Sequence, residues 1–503
     1  MSESVFKRVR TTPDDEAPLS PQEAGVATLI GEAQAWCGSH GLVMVAPNRT
    51  DGSWQHAPVA LTPATFPRSS FEQAVALARP FNALVDVLAR DPDFIVEGLA
   101  DAIKGDEFTK RLVDIYEKFG GPRARQQAYL AVHRSDYMVD TVSGRLLQIE
   151  LNTISSSFAC LSARVTRLHR FLLTGNPTLR KLSGLIDSRF ANSDAADLSQ
   201  RIPENRADTI IPRAIAKAHE LYDSKRKEKS RNLCVLFVVQ ENERNYVDQR
   251  HLEYELCSSH KVPVLRRTLG EVEATGKLQP DTKALILEGD KEISVAYFRS
   301  GYTPTDYPTE VQWAGREKIE ESLAIKCPSI AYHLVGAKKI QQRLADPGVL
   351  EKYVLDKDSL TKLKACFAGL WSMGADFDPA VRAKAIADPI KYVIKPQREG
   401  GGNNIYGDKV RVALETMPAQ EQAAHILMER IFPPREDAFL MRNAEVQHGP
   451  ALSELGIYSV YLGDGKMSYL DEEAGHLLRT KFDGVDEGGV AGGFASLNSP
   501  LLS

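Results

Sequence analysis

The sequence predicts a protein of mixed class, part α/β and part α+β, built from more than one packed unit. Three observations lead there. The chain has 503 residues, more than one hydrophobic core of ordinary size accommodates, so about two to four cooperating units are expected. Between 232 and 337, strand-like and helix-like segments alternate, the pattern of a parallel sheet with crossover helices. In the last third, strands are joined by tight turns such as GDG at 463–465, the pattern of an antiparallel sheet.

The elements follow in order. Residues 1–20 are rich in Pro, Asp, Glu and Ser without an apolar period, and are expected to be disordered. They lack the apolar core of a secretory signal. A first unit is assigned to 21–231. PQEAGVATLIGEAQAWCGSHG at 21–41 has helical apolar spacing and a stop at Gly41, and GLVMVAP then reads as a short buried strand. Helical spacing dominates to 119. After Gly120 and Gly121, AYLAVH and LLQIELN read as strands around the turn DTVSG, with Arg134 and Asp136 beyond the first of them. Side chains two apart on a strand share a face, so Glu150 and Asn152 present two oxygen donors to one spot.

The stretch 183–213 is polar and is expected to be a surface loop, and SKRKEKSR at 224–231 a solvated helix end. The second unit, 232–337, has strands in NLCVLFVV, VPVLRRTL, KALILEG and ISVAYFR, with helical DQRHLEYELCSSH after the first. The third, 338–503, has strands in KYVIKPQ and HILMERI on either side of a helical stretch, then the hairpin IYSVYLGDGKMSYL.

Composition narrows the function. A charged fraction of 26% and an apolar fraction of 43% are ordinary for a soluble enzyme. The net charge of −5 provides no global field for nucleic acid or an anionic membrane, so anionic ligands must be held by local clusters. No apolar run is long enough to span a bilayer, and the cytoplasm is the expected location. The 6 cysteines include no CxxC pair, which argues against a zinc ribbon or a disulfide framework.

The chemistry is concentrated in KPQREGGGNN at 395–404. Gly400, Gly401 and Gly402 allow backbone N–H groups to approach phosphate oxygens, while Lys395 and Arg398 neutralise charge. A carboxylate there, Glu399, makes sense as a ligand for Mg²⁺, which prefers oxygen. The loop is not a Walker A motif, since no GK[ST] follows the glycines. A polar hairpin tip would share its composition. Glu150 and Asn152 alone could be a polar strand edge, but with Glu399 they form a set of hard oxygen donors. Arg299 ends an apolar strand and Arg479 follows GHLL, so both could aim a guanidinium into a cleft.

Several segments, in order, resemble eukaryotic-type glutathione synthetase, a family of ATP-grasp ligases. They are HRSDYM (133–138), QIELNTISSSF (148–158), QENERNYVDQR (240–250), YFRSGYTP (297–304), GAKKIQQ (336–342), KPQREGGGNNIYG (395–407), ILMERI (426–431), SELGIYSVY (453–461) and GHLLRTK…GGVAGG (475–493). The resemblance runs from about 128 to the C-terminus. It implies an ATP-grasp fold with an inserted parallel α/β substrate-binding subdomain and a mobile glycine-rich lid around 370–430.

It also implies a homodimer that uses Mg²⁺ and ATP to join γ-glutamylcysteine and glycine. By position, Glu150, Asn152 and Glu399 match the metal ligands. Lys338, Lys395, residues 399–404 including Asn403 and Asn404, Tyr406, Met428, Glu429, Arg430, Ile431, Glu454 and Lys481 match the ATP site. Arg134, Ser155, Ser156, Ser157, Phe158, Glu243, Arg244, Asn245, Gln249, Arg299, Tyr302, Arg479, Val490 and Ala491 match the dipeptide and glycine sites. Arg479, Lys338 and Lys395 are the catalytic candidates.

Arg430 departs from the family pattern, in which Lys is common, and AGGFASLNSPLLS after GGV is looser than usual. A β-alanine-using, homoglutathione-type synthetase and a non-catalytic nucleotide-binding regulator are the alternatives.

Overall fold

The two longest strands, Glu445–Gly463 and Ser468–Phe482, form one antiparallel hairpin. Its turn uses Gly465 at φ 80, where a side chain would be strained. This is a computed structural model, and it describes residues 7–8, 19–46, 53–226, 232–398, 402–443 and 445–503. The N-terminal stretch expected to be disordered lies almost wholly outside the described residues, as do Glu399, Gly400 and Gly401 and residues 227–231 of the charge run.

The hairpin is the centre of the main sheet. Tyr129–Val139 pairs antiparallel with Glu445–Gly463, and Leu146–Asn152 pairs antiparallel with Tyr129–Val139 to form the edge next to the cavity described below. Alternation along Glu445–Gly463 supplies two cores. Tyr458, Val460 and Leu462 pack with helices Ala159–Arg170 and Ala207–Lys225. Leu455, Ile457 and Tyr461 pack with helix Ala78–Ala89 on the opposite face.

A second sheet holds Leu233–Val238, Val264–Arg267, Lys291–Phe298 and Ile325–Cys327 in parallel. Its residues enter the same two cores. The sheet is mixed rather than purely parallel, because Leu285–Leu287 and Lys277–Leu278 add antiparallel strands at one edge. Short turns there leave no room for a crossover helix.

A third sheet is antiparallel throughout, in the order Leu370–Ser372, His425–Glu429, Tyr392–Pro396, Ile405–Tyr406. It has a small core of its own around Met373, Ile394, Leu414 and Leu427.

Two further expectations change. The polar stretch 183–213 is largely helical, not a loop. The helices Pro177–Ile186 and Ala195–Arg201 are capped by Asn176 and Asp194, and Leu179, Phe190, Leu198 and Ile202 anchor the stretch in the core. Arg134 and Asp136 lie inside the strand Tyr129–Val139, not beyond it. Their backbones are paired on both sides, and their charges satisfy each other. No described helix is long and apolar enough to cross a membrane.

Leu455 is fully buried where the hairpin meets Tyr129–Val139. Leu455→Ala is expected to cost about 2–5 kcal/mol, the usual range for an internal leucine. A urea-unfolding midpoint near that of the unaltered protein would contradict this packing.

Candidate active site

Register along four strands assembles the centre of the site. Asp136 is opposite Gly456 on one side and Glu150 on the other, Arg134 is opposite Tyr458 and Asn152, and Glu454 is opposite Arg479. Asp136 is fully buried. Its Oδ1 accepts from Arg134 Nε at 2.7 Å, and its Oδ2 accepts from Arg134 Nη2 at 2.8 Å and Arg479 Nη2 at 3.0 Å. The Arg479 Nη2 also bonds to Glu454.

Gly456 is needed beside this pair. A Cβ there would lie 2.6 Å from Asp136 Oδ1 and 2.8 Å from Arg134 Cδ.

Asn152 donates Nδ2 to Arg134 O at 3.2 Å and to Asp136 Oδ2 at 3.0 Å. Two acceptors fix the orientation of the amide and leave Oδ1 for a cation. Burial would raise the Glu150 carboxyl above its ordinary range. Lys338, Lys395, Arg479 and Arg134 outweigh that and hold it well below, so it is a carboxylate at neutral pH.

Lys338 begins the helix Lys338–Leu344. Its Nζ lies 3.7 Å from Glu150 Oε2 and donates to Arg398 O at 2.7 Å. Lys395, in the third sheet, donates Nζ to Ile149 O at 2.9 Å, so one ammonium bridges the third sheet and the edge of the main one. Arg398 pairs at 2.6 Å with Asp106, whose other oxygen caps the helix Glu107–Phe119.

Between these sheets lies a cavity of about 290 Å³. That is near the lower end for a small-molecule site. On one side it is apolar, with Met138, Ile149, Val393, Met428 and Ile431. On the other it is closed by the segment 483–492. There Lys481 donates Nζ to Asp486 O at 2.5 Å, Arg430 pairs with Asp486 at 3.0 Å, and Glu487 accepts from the backbone N–H of Gly402 at 2.7 Å. Cations facing a cavity beside an apolar slot suit a ligand with a phosphate chain and an aromatic base.

The eukaryotic glutathione synthase, ATP binding domain, family model matches residues 23–502. The chain belongs to this family. It is 43% identical over 487 residues to the chloroplastic glutathione synthetase of Solanum lycopersicum, covering 95% of this chain and 84% of the relative. To the glutathione synthetase of Dictyostelium discoideum it is 42% identical, covering 93% and 97% of the two chains. For the Homo sapiens glutathione synthetase the figures are 39% identity with 88% and 90% covered. Among solved structures, a glutathione synthetase-like effector from Globodera pallida superposes with a TM-score of 0.73 at 22% identity, over 97% of this chain and 99% of that one. At that identity the likeness speaks to the fold.

In this glutathione synthase-family chain, the cavity gathers most of the residues singled out from sequence. Arg134, Glu150, Asn152, Ser155, Ser156, Ser157, Phe158, Tyr302, Lys338 and Lys395 line it. So do Asn403, Asn404, Tyr406, Met428, Glu429, Arg430, Ile431, Glu454, Arg479, Lys481, Val490 and Ala491.

The remaining described candidates stand behind the wall. Arg299 is buried and donates Nη1 to Ser156 O at 3.0 Å and Nη2 to Ser157 Oγ at 2.5 Å, so it holds the serine loop from behind. Arg244 donates to Ala491 O at 3.2 Å. Glu243 accepts from the Asn245 N–H at 2.7 Å and from Gln249 Nε2 at 3.4 Å. Asn245 is buried with neither side-chain polar atom paired. Gly402 enters through its backbone bond to Glu487.

Sequence reasoning missed three groups. Asp248 accepts from the N–H groups of Phe158, Cys160 and Leu161, closing the N-terminus of Ala159–Arg170 and fixing the serine loop. Tyr458 donates its hydroxyl to Ser157 O at 2.5 Å. Asp136 is the third. Each stands in a quoted motif or one strand away from it, but its partner is distant in sequence.

Burial lowers the Lys481 ammonium to about 8, against the opposing pull of Asp486 and Glu487. It is therefore a cation below that pH and increasingly neutral above it. Binding of ATP to the free protein is expected to weaken as pH rises through about 8. Lys481→Met should bind more weakly at pH 7 and lack that pH step. Calorimetric titrations of both proteins across pH 6–9 check this, and identical profiles would place Lys481 outside the nucleotide site.

Proposed function

We propose that the protein is a glutathione synthetase that joins γ-glutamylcysteine and glycine at the expense of ATP, releasing ADP and phosphate through an acyl phosphate. The observation that carries this is a single cavity where the cations Lys338, Lys395, Arg134 and Arg479 converge on the Glu150–Asn152 pair beside an apolar slot. A carboxylate is a poor electrophile. Phosphorylation activates it, and this step needs positioning and charge stabilisation rather than a protein nucleophile. No Ser-His-Asp or Cys-His arrangement is required.

In this reading the adenine enters between Met428 and Val393, with Glu429, Arg430 and Ile431 at its edge. Lys338, Lys395 and Lys481 hold the phosphates, with Tyr406 and the backbone of the glycine-rich loop. Arg134, the serine loop 155–158 and Tyr302 hold the dipeptide. Arg479 stabilises the acyl phosphate, and the glycine amine attacks from the side of Val490 and Ala491. Glu243, Asn245 and Gln249, backed by Arg244 and Arg299, complete the dipeptide end.

The donor set fits Mg²⁺. Glu150 is ionised, and Asn152 has its carbonyl oxygen available, both hard oxygens on one strand face. Glu399 is assigned as a third ligand. The ion would screen charge between the transferred phosphate and the nucleotide.

The third sheet, with its separate core, supports reading 370–430 as the lid of an ATP-grasp fold and 232–337 as the inserted substrate subdomain. Closure of that lid would keep water from the acyl phosphate. A homodimer is carried by the family resemblance.

The test is ADP release by the purified protein. It is expected to require Mg²⁺, γ-glutamylcysteine and glycine together, and Glu150→Gln should lower turnover about 100-fold or more, the scale of removing one electrostatic group from a transition state. ADP release indifferent to either amino substrate would overturn the assignment.

A further inference from the structure

The proposed reaction gives Arg134, Arg479 and Asn152 each a task at a ligand, but Asp136 contacts no ligand in it. It is fully buried behind those cations. Its carboxylate nevertheless accepts from four nitrogens, Arg134 Nε and Nη2, Arg479 Nη2 and Asn152 Nδ2. These donors come from three different strands, Tyr129–Val139, Ser468–Phe482 and Leu146–Asn152.

The geometry restricts what each partner can do. Arg134 is gripped along one edge by a bidentate pair, which sets the plane of its guanidinium. The remaining Nη1 faces Ser157 O at 3.4 Å, in the loop that lines the cavity. Arg479 is held through Nη2 alone, by Asp136 and Glu454 together. Asn152 has both hydrogens of its amide nitrogen engaged, by Arg134 O and Asp136 Oδ2, so its oxygen is the atom left for a cation. Without the carboxylate, two guanidiniums would repel each other at close range in a site shielded from water. On the neighbouring strand only a glycine fits, at Gly456, since a methyl group there would intrude on both Asp136 and Arg134.

We propose that Asp136 is the positioning residue of this site, a single buried carboxylate that orients Arg134, Arg479 and Asn152 for ligation. The proposal rests on reading the cavity as the ligation site. Its prediction is selective. The two residues proposed to hold the adenine, Val393 and Met428, stand on strands of the third sheet that none of these donors shares, so nucleotide affinity should change little while the chemical step suffers.

Two variants test this, each compared with the unaltered enzyme for melting temperature, kcat, KM for ATP, and Mn²⁺ binding in the presence of ADP followed by electron paramagnetic resonance. Asp136→Asn keeps the shape and removes the charge. Gly456→Ala keeps the charge and pushes the pair out of place.

Both are expected to lower kcat by about 100-fold or more, to leave KM for ATP within about threefold, and to weaken Mn²⁺ binding. If Asp136→Asn does not fold, Gly456→Ala decides on the same readouts. Folded variants with unaltered kcat would overturn the proposal and leave the site reading intact. Loss of fold in both would make the cluster structural and also overturn it. An unaltered enzyme unable to make glutathione would instead overturn the reading beneath it.

Discussion

The structure of the site depends on one constraint: several cations must be kept next to one another, largely out of water, before any ligand arrives. Removing a guanidinium from water is expensive unless its charge is paired and its donors are satisfied. Burial lowers the affinity of Arg479 for its proton, the neighbouring Arg134 lowers it further, and Asp136 and Glu150 oppose both. The Arg134–Asp136–Arg479 cluster is the solution, and it requires three strands in fixed register with a glycine at 456. The long hairpin and its two cores maintain that register. Fold and site are therefore coupled at the sheet, not at a loop.

The same logic extends outward. Glu150 remains ionised because cations surround it, and those cations remain close because Glu150 and Asp136 separate them. Around the rim, bonds tie segments from different sheets together. Arg398 to Asp106, Glu487 to Gly402, and Arg430 to Asp486 each join the third sheet, or the loop beside it, to a neighbour. The cationic centre is thus rigid by packing, whereas its cover is held by a few polar contacts near solvent. That division suits a reaction in which the charge array stays fixed while the cover admits substrates and excludes water.

Much of this was legible in the sequence where the information is local. The hairpin at 463–465, the strands around DTVSG and the shared face of Glu150 and Asn152 follow from turn chemistry and a period of two. The helices in 183–213 were not, because their apolar anchors are sparse and only the caps at Asn176 and Asp194 mark them. The antiparallel edge of the second sheet was hidden because a strand does not reveal its direction. Asp136 was hardest to see. A carboxylate within a strand reads as a solvated residue until pairing brings Arg479, 343 positions away, against it. Asp248 shares this property, since it serves as a cap for a helix distant in sequence.

The most direct test is a crystal structure of the protein with ADP, Mg²⁺ and a phosphorylated phosphinate mimic of the acyl phosphate. Adenine is predicted between Met428 and Val393, metal on Glu150 and Asn152, and the mimic against Arg479, with Arg134 and Arg479 both bonded to Asp136. A nucleotide bound elsewhere, or arginines that leave Asp136 to reach the ligand, would contradict this.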